Sequence, residues 1–251
     1  MKLIQQKRIH PKGYSLLELV LVIAIIAVLV GLLLPKGFDA LRTARVQQVQ
    51  KTVDTLKTAL VDYLALAGGN GSLPRTEGAG IPTSGAALTG ASDVAKGNAA
   101  RLDAILLATA RLERPLSLRM GAQVATSTGT GNEVFWNQAL NAFVMTPDAV
   151  PQRNWSGVAR AEARLATPAL LPSAAQGANF RLDGLTNLSA NSVVAYLVIP
   201  NCPAKDAQEL ANAMNGAQQA PIEGAASDAG IVAFAAPLNG VTDVYVFLTA
   251  L

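Results

Sequence analysis

Residues 12 to 19 read Lys-Gly-Tyr-Ser-Leu-Leu-Glu-Leu, and the sixteen residues from Leu19 to Leu34 contain no charge and no strong hydrogen-bonding side chain. Glu18 therefore sits just inside an apolar run of membrane length, where a charge costs about 2.5–3.5 kcal/mol at the bilayer centre and less near an end. Tyr14 to Leu34 is 21 residues, about 31 Å as a helix, against a hydrocarbon core of about 30 Å. Fifteen of the residues from Leu16 to Leu34 are Leu, Ile or Val. At about −0.3 to −0.6 kcal/mol each they outweigh the acid, so insertion is favourable. A carboxylate placed at that cost calls for a partner.

Upstream of this segment, the first thirteen residues carry Lys2, Lys7, Arg8 and Lys12 and no acid. They account for the net charge of +3 over 251 residues, since without them 16 basic and 17 acidic side chains remain. The body is nearly neutral, and no basic cluster with interleaved aromatics supports nucleic-acid binding. The apolar run is longer than the roughly 7–15 residues of a secretory signal, and Pro-Lys-Gly-Phe-Asp-Ala follows it in place of a small-x-small cleavage site. Lys36, Arg42, Arg45 and Lys51 lie beyond the segment, so charge asymmetry alone does not orient it.

The junction resembles the processing site of type IV prepilins and pseudopilins. Gly13 ends a short basic leader, Tyr14 stands at the first mature position, Ser15 follows and Glu18 is the fifth mature residue. Tyr replaces the commoner Phe at the first position, and the likeness extends over about residues 7–66. It implies a prepilin peptidase and methyltransferase that cuts after Gly13 and N-methylates Tyr14; a glycine before the scissile bond lets the chain extend into a narrow cleft without a Cβ. It also implies that the new amine of one subunit pairs with Glu18 of a neighbour during filament assembly, which would set the stagger between subunits. The implied partners are that enzyme, other pilin subunits in a homo- or hetero-polymer, the inner-membrane assembly machinery and the lipid bilayer. The implied location is the inner (cytoplasmic) membrane, single-pass with the N-terminus inside, and after assembly a periplasmic pseudopilus or a cell-surface pilus.

Beyond Pro35 the stripe Val46, Val49, Val53, Leu56, Leu60 and Tyr63 alternates spacings of three and four, which predicts one apolar helical face. Gln47, Gln50, Lys51, Asp54, Lys57 and Asp62 occupy the opposite face. One helix from Tyr14 to about Ala67 would be roughly 80 Å long. Pro35 cannot donate to the carbonyl of Gly31, and Gly31 is itself a weak helix former, so these two residues mark the point where the helix bends or melts most easily.

Residues 68–97 hold eight glycines with Pro, Ser and Thr throughout and read as a long connection. A helix is predicted over Asn98 to Glu113, with Leu102, Ile105, Leu106 and Leu112 inward and Pro115 stopping it. Strands are predicted at Leu116 to Met120, Val134 to Trp136, Ala142 to Thr146 and Val193 to Ile199, while Asn154 to Asn179 shows no clear periodicity. Pro203 then opens a helix over Ala204 to Asn215 that Gly216 ends. Ile231 to Ala235 and Val244 to Leu248 form an expected antiparallel pair across a turn with Asn239-Gly240. The expected fold class is α+β, and the order of elements resembles the pilin fold, in which a long N-terminal helix packs on an antiparallel β-sheet head. Its divisions are a leader over 1–13, a transmembrane and assembly half-helix over 14–34, an amphipathic half-helix over 35–67 and a head over 68–251.

The only histidine is His10 and the only cysteine Cys202. A chain cleaved after Gly13 has no Ser-His-Asp or Cys-His site and no His-ligated metal. No Gly-x-Ser-x-Gly elbow or P-loop is present. No enzymatic activity, cofactor or metal is expected. Cys202 reads as a small buried or capping residue; larger pilins carry a bridged cysteine at a similar turn, a staple for which this chain lacks the second thiol. The expected function is a structural subunit of a type IV pilus-like filament, with a minor pseudopilin of a type II secretion system as the alternative and a membrane-anchored exported enzyme as the rival of a different class.

Overall fold

The computed structural model describes residues 16–66, 72–76, 101–121, 126–137, 139, 142–154, 157–167, 180–216, 221 and 224–251. The leader and most of the glycine-rich connection over 68–97 lie outside these, as does much of the aperiodic stretch after Asn154. The chain divides into two compact units, Met1–Arg42 and Thr43–Leu251.

In the first unit the described residues are all helical and begin α1, Leu16–Leu66. Every large apolar side chain from Leu16 to Leu34 is exposed, Val30 least so at 46%. The helix continues through Gly31 and Pro35 without interruption.

The second unit builds its core on the remainder of α1. Val46, Val49, Val53, Leu56, Ala59, Leu60 and Tyr63 are all buried, which includes every member of the expected stripe. Thr52, Thr55 and Thr58 return their hydroxyls to the carbonyls of Gln48, Lys51 and Asp54 at 2.9, 2.9 and 3.0 Å, so these β-branched residues expose no unmet donor inside the helix.

Helix α2, Leu102–Ala108, buries Leu102, Ile105 and Leu106, and Leu112 beyond it is buried as well. It is shorter than expected at its C-terminus. Ala110 adopts φ 58°, and the N–H groups of Arg111 and Ala110 donate to the carbonyls of Leu106 and Leu107 at 2.8 and 3.1 Å. This pair of bonds is the Schellman closure, here with alanine in the left-handed position. The chain thus turns five residues before Pro115. Residues 116–120 are not a strand: Leu118 and Met120 are buried with alternating spacing, but the side-chain amide of Gln48 takes the place of a strand partner. It donates to the Ser117 carbonyl at 3.0 Å and accepts the Arg119 N–H at 3.2 Å.

Two antiparallel sheets follow. β1, Thr126–Asn137, and β2, Ala142–Asn154, form a two-stranded ribbon that contains both predicted strands and extends well beyond them. Its register runs from Asn137↔Ala142 to Thr126↔Asn154 with irregularities at Ser127/Gly129 and Asn132/Val134. The main sheet has the order β3-β4-β6-β5, built from β3, Arg160–Leu165, β4, Val193–Pro203, β5, Val232–Phe234, and β6, Val241–Ala250. Between β4 and β5 lies α3, Ala204–Asn215, with Gly216 after it at φ 80°. The β5–β6 hairpin closes through Asn239 and Gly240, at φ 53° and 80°, with Leu238 and Val241 exchanging both backbone bonds; two successive positive φ values match the strand twist.

One face of the sheet carries Ala161, Ala163, Leu197, Ile199, Phe234, Val244 and Val246 into a single core with α1, α2 and α3. The other buries Val194, Tyr196, Val198, Ala233 and Tyr245 under Phe180, whose ring centroid lies 6.1 Å from that of Tyr196 and 5.5 Å from that of Phe247. The architecture is α+β, a long apolar N-terminal helix plus a C-terminal four-stranded antiparallel sheet, consistent with the pilin fold. In β4 one extra residue separates the pairs Ile199↔Val244 and Cys202↔Thr242. Asn201 there takes φ 49° and gives its N–H to Asp243 Oδ1 at 2.9 Å. Gly121 packs against this bulge at φ 75°, and a Cβ on it would overlap the Pro200 carbonyl, so only glycine fits.

Candidate functional site

Gly13 and Tyr14, the expected processing residues, lie outside the described residues, as does Ser15. Glu18 is the third residue of α1 and the acid of its first turn. An acid in the first turn of a helix is favoured by the helix dipole. From Leu16 to Leu34 it is the only charged side chain; Lys36, the first basic residue on the same helix, is 18 residues away, about 27 Å along the axis.

The apolar part of α1 is long and apolar enough to cross a membrane, and its large apolar side chains are exposed. Gly31 has open space where a Cβ would stand, so close packing does not explain a glycine there. Pro35 sits four residues on and leaves the Gly31 carbonyl without its usual donor. The structure places Glu18, Gly31 and Pro35 on one helix but brings none of them to a common point.

The second half of α1 is held by polar contacts that its sequence did not announce. Arg45 Nη1 lies 3.1 Å from Asp206 Oδ2 in the first turn of α3, and the Thr43 hydroxyl donates to Glu209 Oε1 at 3.2 Å. Cys202 is buried nearby; burial pushes its thiol well up, with Asp206 adding to the effect. A thiol in that environment is an inert packing residue.

A second polar cluster lies on the far face of the sheet. Glu162 of β3 is buried, with Arg160 Nε at 2.6 Å from Oε1 and Arg164 Nε at 2.9 Å from Oε2. The Tyr196 hydroxyl, from the paired position on β4, donates to Oε2 at 2.9 Å. Burial raises the Tyr196 phenol well above its ordinary value, and the Glu162 carboxylate raises it further. Alternation along Arg-Ala-Glu-Ala-Arg puts all three charges on one face, but three charged residues in five obscured the strand.

Residues 10–34 match the family model described as the prokaryotic N-terminal methylation motif. No curated protein and no solved structure matches the chain. The matched residues contain the glycine, the glutamate and the start of the exposed apolar helix. On its first helix this chain carries the type IV prepilin and pseudopilin signature.

Proposed function

We propose that the chain is a structural subunit, cut after Gly13 by a prepilin peptidase, N-methylated on Tyr14 and polymerised through its first helix into a type IV pilus-like filament. The methylation motif over residues 10–34 carries this reading, and the exposed apolar helix with a single carboxylate supports it. In this reading residues 1–13 are removed, 14–34 span the inner membrane and later line the filament, 35–67 join the helix to the head, and 68–251 form the head. Glu18 takes the positive amine of a neighbouring subunit as its partner in the apolar interior. Gly31 and Pro35 provide the weak point at which the helix adjusts when subunits pack. The motif is shared with pseudopilins, so a minor pseudopilin of a type II secretion system is the second reading.

The N-terminal mass of the protein purified from cells with an active prepilin peptidase tests the proposal. A chain beginning at methylated Tyr14 is expected; one that retains Met1 would overturn it. Abundance in sheared filaments separates the readings, since a pilus subunit is recovered there and a minor pseudopilin is not.

A further inference from the structure

The two outer strands of the main sheet are β3 and β5, and an outer strand ordinarily presents unpaired N–H and C=O groups that invite another chain. Here side chains, together with the backbone of Thr76 and Ser227, occupy those groups. On β3, the buried carboxylate of Asp103 accepts the Ala161 N–H at 2.9 Å. The buried hydroxyl of Thr76 accepts the Ala163 N–H at 2.9 Å, and the Thr76 N–H donates to the Ala163 carbonyl at 2.8 Å. On β5, the Asn215 amide spans Val232, accepting its N–H at 2.7 Å and donating to its carbonyl at 2.9 Å. Ser227 exchanges both backbone bonds with Phe234 at 2.9 Å, and its hydroxyl donates to the Val232 carbonyl at 3.1 Å.

Thr76, Asp103 and Ser227 are three of the buried polar residues of the head, and each is buried at a cost that its hydrogen bonds must offset. An apolar side chain of similar size would fill the same space. What the polar groups add is closure of the ladder at positions 161, 163 and 232. Asn215 does so from the last turn of α3 and Asp103 from the first turn of α2, so two helix ends hold the plugs rigidly.

We propose that Thr76, Asp103 and Asn215 are edge plugs that prevent the head sheet from adding a strand of a second copy of this chain. Subunit association is then left to surfaces other than the sheet edges, whichever filament the chain enters. The proposal rests on the head alone and stands or falls independently of leader processing.

The test uses the full-length chain in detergent, comparing Thr76→Val with Asn215→Ala, the double variant, and Thr76→Ser as the control that keeps the hydroxyl. Sedimentation and amide exchange at Ala163 and Val232 are read at several concentrations. The double variant is expected to self-associate at concentrations at least about tenfold below wild type, with the freed amides regaining protection as concentration rises. Thr76→Ser should match wild type. A double variant that keeps its far-UV spectrum, associates no more than wild type and exchanges Val232 at a concentration-independent rate would overturn the proposal. A variant that unfolds and aggregates without protection at Val232 would equally count against it.

Discussion

Arg45 Nη1 on α1 and Asp206 Oδ2 on α3 lie 3.1 Å apart, with the arginine side chain 42% exposed and the aspartate side chain 5% exposed. The pair is asymmetric: Arg45 can turn to water, but Asp206 cannot. Losing the arginine removes a counter-charge from a buried carboxylate, which is the costly way to weaken an ion pair. The first-turn position of Asp206 on α3 compensates in part, and the exposed arginine limits the Coulomb gain. Arg45→Met is expected to destabilise the head by about 1–2 kcal/mol and Asp206→Asn by less than about 1 kcal/mol, because the neutral amide needs no counter-charge. Urea denaturation of the detergent-solubilised chain measures the difference; equal costs for the two variants would show that the burial of Asp206 does not control the energetics.

Glu18 separates processing from assembly. Glu18→Ala is expected to leave cleavage after Gly13 intact while abolishing filament incorporation, and replacement of Gly13 by a bulky residue such as leucine should block cleavage itself. Mass spectrometry of the membrane fraction reads the first effect and recovery in sheared filaments the second. Wild-type recovery of Glu18→Ala would remove the glutamate from the assembly mechanism.

Ala110 holds a left-handed conformation at the end of α2 with its side chain exposed. For an L-residue that conformation costs about 1–2 kcal/mol, partly offset in a glycine by its greater freedom when unfolded. Ala110→Gly is therefore expected to stabilise the head by roughly 0.5–1 kcal/mol, a rise in Tm of a few degrees. A lower Tm would show that the alanine methyl makes contacts worth more than the strain.

Tyr196 and Tyr245 both have phenols raised by burial, Tyr196 with help from Glu162 and Tyr245 chiefly from Asp243. A raised folded value means that the neutral form is favoured on folding, so this stability is fully present below the unfolded value of about 10 and is lost as pH rises beyond it. The head is expected to unfold cooperatively in alkali, with both tyrosines ionising in the same transition. Tyrosinate absorbance followed alongside far-UV circular dichroism checks this; ionisation of either tyrosine well before loss of the fold would contradict it. Tyr196→Phe should raise the alkaline midpoint while lowering stability at neutral pH, since Glu162 loses a donor.

Legibility in the sequence followed the periodicity of apolar residues. The α1 stripe from Val46 to Tyr63, the inward residues of α2, the limits of α3 and the Asn239-Gly240 turn were all readable because each repeats a local rule with large side chains. β3 was not. Its inward residues are Ala161 and Ala163, and its other face is Arg160, Glu162 and Arg164, which no hydrophobic pattern distinguishes from a surface loop. Residues 116–120 failed in the opposite way: the alternation of Leu118 and Met120 was real, but alternation reports burial and not pairing. The backbone partner there is the side chain of Gln48, 69 residues away from Ser117.

The sequence by itself determined the membrane-length helix, the cost of Glu18 within it and the motif that surrounds both, because these depend on local composition and on counting from one glycine. Only the tertiary structure decided which polar side chains close the sheet at Ala161, Ala163 and Val232, and which carboxylate receives Arg45. Those bonds join residues far apart in the chain, and a single hydrogen bond leaves no periodic trace. Their energy comes from burial that exists only once the helices and the sheet have met.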